Sequence, residues 1–217
     1  MTFWDLLKIL AGGAAYTILL TLASIGAGLA IGLTLAVFSM WRRKPVQIFL
    51  SVYVYVFRSL PVLVLLFIVF FGLPGMGVRI PPFPAMILTL GLISGAYLSE
   101  IFRGAIAAVS ANEITAARAA GFTRPQIFFH VILPQMLRMS VPGMINEFTS
   151  ILKYTPFAYT VGIPEIMKEA MSLAALTLRG MEIYLAVGIL YFVIYKLFVI
   201  LFAALEKRFR IPGLLVE

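Results

Sequence analysis

Charged residues are so sparse along this chain that it divides into long apolar runs separated by short polar connections. Between Lys8 and Arg42 lie 33 residues without a charge, more than the roughly 20 a helix needs to cross a bilayer. That run is also too long for the apolar core of a signal peptide, and it predicts a first span from Gly12 to Met40. After Trp41-Arg42-Arg43-Lys44-Pro45 the chain is apolar from Val46 to Phe71, interrupted by Arg58 and Pro61, and leaves through Gly72-Leu73-Pro74-Gly75. This predicts a second span, kinked or unwound near its middle. Ile80 to Ser99 is a charge-free run of 20 residues that opens on Pro81-Pro82-Phe83-Pro84 and ends at Glu100 and Arg103, a third span with a helix-entry signal. From Gln126 to Gly162 the apolar pattern carries Arg138, Glu147 and Lys153, and Pro134, Pro142 and Pro156 predict breaks in the helical ladder. It reads as a fourth, irregular span. Ile183 to Leu205 holds only Lys196 and is closed by Glu206-Lys207-Arg208-Phe209-Arg210, which makes a fifth. The expected fold is an all-α integral membrane protein, with residues 1–217 forming one transmembrane domain.

Composition agrees with the pattern. With 62% hydrophobic and 12% charged side chains and a mean hydropathy of +1.05, the chain has about half the charge of a globular domain, which excludes a large soluble catalytic domain. The absence of cysteine removes disulfides, thiolate metal sites and cysteine nucleophiles. A net charge of +8 would suggest nucleic acid in a soluble protein; in a membrane protein it reflects basic residues that hold loops on the cytoplasmic side. With the N-terminus outside, that side carries Arg42, Arg43, Lys44, Arg103, Arg118, Arg124, Lys207, Arg208 and Arg210, nine in all. The outer side carries Lys8, Arg79, Lys168 and Arg179, only four. The expected orientation is N-out, C-in.

Between the third and fourth spans, residues 110–125 are neither long nor apolar enough to cross. Ser110 with Glu113 three residues on has the spacing of a capping box, and Gly121 can end a short helix in the left-handed region. Ala116, Ala117, Ala119 and Ala120 leave part of its surface without bulk, so that another protein could approach closely; an alanine-rich connector is an equally good reading of these residues alone. At membrane depth, polar groups usually face a bundle interior or water. Ser94, Tyr97 and Glu100 share one helical face and can supply hydrogen bonds and a carboxylate to an ammonium, or Glu100 simply neutralises Arg103 or Arg58. Asn146, Glu147, Lys153, Tyr154 and Thr155 lie near prolines, where freed backbone groups can line a cavity. Lys196 reads as a snorkelling residue, and His130, the only histidine, as a packing residue. Glu165, Lys168, Glu169 and Arg179 fall in the outer connection and suit a charged docking partner or a solvated loop.

Several of these segments resemble one family. Thr115-Ala-Ala-Arg-Ala-Ala-Gly121, followed after nine residues by Val131-Ile-Leu-Pro134, is similar to the "EAA" loop of ABC importer permeases, with Thr115 where that family usually has Glu and Val131 in place of Ile. Phe57-Arg-Ser-Leu-Pro-Val-Leu-Val64, Phe70-Phe-Gly-Leu-Pro74, Ser94-Gly-Ala-Tyr-Leu-Ser-Glu-Ile-Phe-Arg-Gly104 and Val161-Gly-Ile-Pro-Glu165 resemble segments of the polar amino acid permeases of the histidine, glutamine and arginine type. The resemblance covers roughly residues 55–165.

It implies the fold of a type I importer permease of the MetI-like kind in a bacterial inner membrane. The permease pairs with a second permease subunit, two ATP-binding subunits and an extracytoplasmic solute-binding protein to move a polar amino acid. Residues 110–125 would then be the coupling helix, with Glu113, Thr115, Ala116, Ala117, Gly121 and Arg124 facing the ATPase. Ser94, Tyr97, Glu100, Glu147, Lys153 and Thr155 are the candidates for substrate contact. The chain has no G-x-x-x-x-G-K-[ST] phosphate loop, so ATP and its chemistry belong to the partner, and the expected function is non-enzymatic. The competing readings are an ATP-independent channel or secondary carrier for a small polar solute and, from another class, a small intramembrane enzyme, which would need paired acids, a histidine cluster or a Ser/Lys dyad on one face and for which Glu100 and Glu147 are the only candidates.

Overall fold

A computed structural model describes residues 2–41 and 43–209, with the side chains of 203 and 205–209 excepted. Among the described residues it is helical throughout, with no strand. The elements are α1 (Phe3–Ala11), α2 (Ala14–Ser39), α3 (Lys44–Ser59), α4 (Val62–Phe67), α5 (Pro82–Ala108), α6 (Ala111–Ala119), α7 (Arg124–Ile127), α8 (Leu133–Tyr154), α9 (Ile166–Thr177) and α10 (Gly180–Phe209).

The first apolar run starts earlier than its charges suggested. Thr2 caps α1 through a reciprocal pair, its N–H donating to Asp5 at 2.8 Å and its hydroxyl accepting from the Asp5 N–H, so Asp5 and Lys8 are helical. Gly12 and Gly13 join α1 to α2, and Phe3–Ser39 is apolar and long enough to cross a membrane, as are Pro82–Ala108 and Gly180–Phe202. The third helix likewise runs nine residues past the predicted end at Ser99, because Glu100 and Arg103, one turn apart, pair along its surface.

Pro61 does what its chemistry requires. It brings no N–H and disfavours helix at the residue before it, and Leu60 is extended at ψ 131°. The chain bends by 104° between Lys44–Ser59 and Val62–Met76. Beyond the bend, α4 runs through a π turn (Ile68–Gly72) and a 3-10 turn (Leu73–Met76).

The fourth run is less broken than its prolines imply. Pro134 sits in the first turn of α8 directly after the π turn, where the hydrogen-bond register changes and its missing N–H is accommodated, and Pro142 lies inside a continuous helix. The irregularity falls at the ends, as a π turn at Phe128–Ile132 and a 3-10 helix at Thr155–Val161.

The centre of the bundle is α5, with α2 and α8 against it. The α2/α5 contact is made by small residues: a Cβ on Gly28 would lie 2.6 Å from Ser94 Cβ, one on Gly32 2.7 Å from Leu98 Cβ, and one on Gly91 2.9 Å from Ala27 Cβ. Membrane helices lack a hydrophobic drive toward each other, so this close approach of backbones supplies the packing. Tyr53 donates to the Leu92 carbonyl at 2.8 Å and ties α3 to the same helix. A second cluster, with Leu6, Leu10, Ile166, Ala170 and Ile183, joins α1, α9 and α10 at one end. At the other end Ile114 and Ala117 of α6 pack with Val109, Ile127 and Ile132.

Two local expectations are corrected. Ser110 precedes α6 but makes no side-chain cap; the Glu113 carboxylate is taken instead by the Gln135 side chain of α8. The outer connection is not an open loop, since it contains α9, which Glu165 begins by accepting the Lys168 N–H at 2.8 Å.

Candidate functional site

Three clefts run along one side of α5. The first, of about 400 Å³, lies at the bend and is lined by Phe57 to Leu63 together with Ile93, Tyr97, Tyr154 and Phe157. The second, of about 490 Å³, shares Arg58, Ser59 and Tyr97 with it and extends to Ser39, Gln47, Glu100 and Arg103. The third, of about 870 Å³, shares Ser39, Gln47 and Arg103 with the second and reaches Ala111, Ile114 and Arg118 of α6. Shared walls make one tract from the bend to the α6 end, largely apolar and carrying a few polar and charged side chains.

Arg58, in the last turn of α3, is the charge common to the first two clefts. Its guanidinium carbon sits 4.6 Å above the centre of the Tyr97 ring, and it forms no ion pair among the described residues. The ring's negative face holds the cation without neutralising it. Glu147 of α8 is 6% exposed, also without an ion pair among the described residues, and close enough to Arg58 for their charges to interact. Ser94 Oγ lies alongside the Glu147 carboxylate, yet no bond of hydrogen-bond geometry joins them, and it and Ser24 Oγ are buried without a partner. Two buried hydroxyls, one on α2 and one on α5, thus have unused hydrogen-bonding capacity, and the second has the Glu147 carboxylate of α8 beside it.

The structure brings Tyr97 and Glu100 to the walls of the clefts, while Ser94 and Glu147 are buried between the helices behind them and are not part of that lining. Glu100 is engaged with Arg103, the pairing that its i, i+3 spacing allowed. Lys153 is exposed and lies 5.5 Å from the centre of the Tyr195 ring, outside the clefts' walls. Thr155 is buried and donates to the Leu152 carbonyl at 2.8 Å. The sequence offered Arg58 only as a possible charge partner for Glu100; its position one turn before Pro61 was the signal for a place in the cleft, because a bend there exposes the preceding helix end.

The loop residues divide. Glu113 bonds Gln135, Thr115 donates to the Ala111 carbonyl at 2.9 Å, and Ala116 and Arg118 are exposed while Ala117 packs inward. Gly121 has φ 83° with no neighbour within 4 Å of a Cβ. Arg124 opens α7, whose cap is the Thr123/Gln126 pair. His130 is exposed, its Nδ1 2.9 Å from the Gln126 carbonyl. Lys196 is exposed beside Phe192, at 5.5 Å from the ring centre.

Glu165 corrects the reading of it as a docking charge. It is fully buried and accepts from Tyr191 Oη at 2.8 Å; burial pushes its carboxyl above the usual range. Lys168 and Glu169 are half-buried, and Arg179 pairs with Glu182. Tyr191→Phe is expected to lower stability by about 2 kcal/mol, the worth of a hydrogen bond to a charged group, as measured by thermal unfolding in detergent.

Membrane-length helices beside a tract that carries a few charged and polar side chains, with a short helix held against one end, define an integral membrane transport component. Residues 28–211 match the family described as binding-protein-dependent transport system inner membrane component, and the chain belongs to that family. It is 35% identical over 211 residues to the L-cystine transport system permease protein TcyB of Bacillus subtilis (strain 168), covering 94% of this chain and 90% of that protein. The glutamine transport system permease protein GlnP of Escherichia coli (strain K12) is 30% identical, with 96% of each chain covered. Among solved structures, an amino acid ABC transporter crystallised with histidines superposes with a TM-score of 0.86 at 31% identity, over 96% of this chain and 99% of that one. The inward-facing MetNI methionine transporter shares the fold, with a TM-score of 0.79 at 21% identity, over 97% of this chain and 100% of that one.

Proposed function

We propose that this chain is a permease subunit of an ATP-driven importer for a polar amino acid in a bacterial inner membrane. It pairs with a second permease subunit and with two ATP-binding subunits, and receives its cargo from an extracytoplasmic solute-binding protein. The observation that carries this reading is the tract of three clefts joined by Arg58, Tyr97 and Arg103 and ending at α6. A zwitterionic amino acid meets Arg58 with its carboxylate and Glu147 with its ammonium, while Tyr97 and Ser94 offer hydroxyls. Such a site binds and releases and performs no covalent chemistry.

The chain crosses five times, N-out and C-in, with α8 as the fourth crossing. Supporting this, Arg43, Arg103, Arg118 and Arg124 gather at the α6 end, where the excess of positive charge marks the cytoplasmic face. Arg42 and Arg210, counted in the same set, lie outside the described residues, and of Lys207 and Arg208 only the backbone is described. α6 is the coupling helix: Ile114 and Ala117 bind it to the ends of α5 and α8, so that movement of α6 is passed to both. Glu113 serves this inward attachment, and Ala116, Thr115 and Arg118 face outward.

Two experiments test the reading. Purification of the chain with its ATPase subunits and reconstitution should give uptake that disappears when the ATPase is inactivated; uptake by the permease alone would establish the channel or carrier alternative. In the same system Gly121→Val places a β-branched side chain at a positive φ, at a cost of about 1–2 kcal/mol, and is expected to weaken ATPase association and uptake together. Unchanged coupling would detach α6 from the ATPase.

A further inference from the structure

The third cleft has a chemistry that the passage of an amino acid does not use. Arg103, Arg118 and Arg124 line it together with Met40, Ile106 and Ile127, and among the described residues no carboxylate does. A neighbouring cleft of about 440 Å³ shares Met40 and Arg124 with it and adds Trp41 and Arg43. Among the described residues, Arg103 is the one of the four arginines in an ion pair, with Glu100. The one acid of α6, Glu113, is turned to Gln135.

Position adds a second constraint. These clefts lie where α2 and α5, both long and apolar enough to cross a membrane, come to an end. Trp41 is 58% exposed there, in the manner of an interfacial aromatic. The walls are therefore cationic toward water and apolar toward the bilayer.

We infer that this arginine-lined cleft between α6, α7 and the ends of α2 and α5 binds the headgroup of an anionic phospholipid. Basic pockets between spans at a membrane face suit such headgroups. The phosphate meets Arg118 and Arg124, and the acyl chains lie along Met40 and Ile106. A zwitterionic lipid is the poorer occupant, because the walls offer its ammonium no carboxylate. Free phosphate satisfies the arginines but leaves the apolar wall uncovered. The bound lipid cements α6 and α7 to α2, which otherwise meet α6 only across the cleft, and so makes attachment of α6 depend on membrane composition.

The test is native mass spectrometry of the full-length chain in mild detergent, copurified with its ATPase subunits. Phosphatidylglycerol and phosphatidylcholine of matched acyl chains are the probes. Phosphatidylglycerol is expected to be retained about tenfold better, the effect of one to two surface arginines. The double variant Arg118→Gln/Arg124→Gln should remove that preference, Arg118→Lys/Arg124→Lys should keep most of it, and Arg79→Gln at the opposite end of α5 should leave it intact. Equal retention of the two lipids, or an equal loss with Arg79→Gln, overturns the site. Displacement of the lipid by inorganic phosphate would show that the arginines bind phosphate alone, and the lipid assignment falls. A glutamine double variant that keeps its lipid but sheds the ATPase subunits would assign the arginines to a protein partner and likewise overturn it.

Discussion

Glu147→Gln should lower amino acid uptake at least about tenfold while leaving the protein as stable as before or more so. The side chain is 6% exposed, with no ion pair among the described residues. An acid held in that state opposes folding, because the loss of hydration is not repaid by a bonded partner. An amide of the same shape relieves that cost. If the carboxylate serves transport, by receiving the ammonium of the cargo, the substitution removes that attraction and transport fails in a well-folded protein. If it serves the fold, through Ser94 and Arg58, thermal unfolding shifts downward and uptake falls only with the amount of protein. Measuring uptake per reconstituted complex beside thermal unfolding separates the two outcomes; lower stability with unchanged turnover would remove Glu147 from the site.

Gly32→Leu is expected to cost about 3 kcal/mol, the upper part of the range for overpacked cores, and to prevent accumulation of folded protein. Its first added atom would stand 2.7 Å from Leu98 Cβ, 3.1 Å from the Ser99 backbone nitrogen and 3.2 Å from the Gly95 carbonyl oxygen. Two of these belong to the backbone of α5 and cannot swing away. Gly26→Ala, in the same helix with nothing within 4 Å, should stay within about 0.5 kcal/mol of the parent. The comparison is made by thermal unfolding of detergent-solubilised protein. A Gly32 variant as stable as the Gly26 variant would show that α2 and α5 are not packed backbone to backbone.

Much of this architecture is written in the chain's spacing of charges. The apolar run after Lys8 and the run between Pro81 and Glu100 each belong to a helix long and apolar enough to cross a membrane, and Pro61 announced the bend in the second segment. What escaped were features decided by partners distant in sequence. The start of α1 depends on the Thr2/Asp5 cap, which the rule of counting from the last charge ignores. α9 went unseen because its acids and lysine read as a solvated connection, whereas Glu165 is bonded to Tyr191, 26 residues away. Glu113 had the right spacing to Ser110 for a capping box and went instead to Gln135, 22 residues on. Of the residues named from the sequence, Tyr97 and Glu100 are in the walls of the clefts. Ser94, Glu147, Lys153 and Thr155 satisfied the same criterion of a polar group in apolar surroundings but are not in that lining, since the criterion does not say which way a side chain turns.

The right-angled break at Leu60-Pro61 has a consequence for how such a cavity can change. The last carbonyls of α3, from Phe57 onward, have no partner within their own helix, and Pro61 brings no hydrogen to meet them. Phe57 to Leu60 form part of the wall of the cleft at the bend. Beside the side chains of that stretch stand main-chain carbonyls without a helical partner, the one material that substitution cannot repaint. Mutations can redraw the side-chain half of the chamber for a new passenger while the peptide half keeps its polarity.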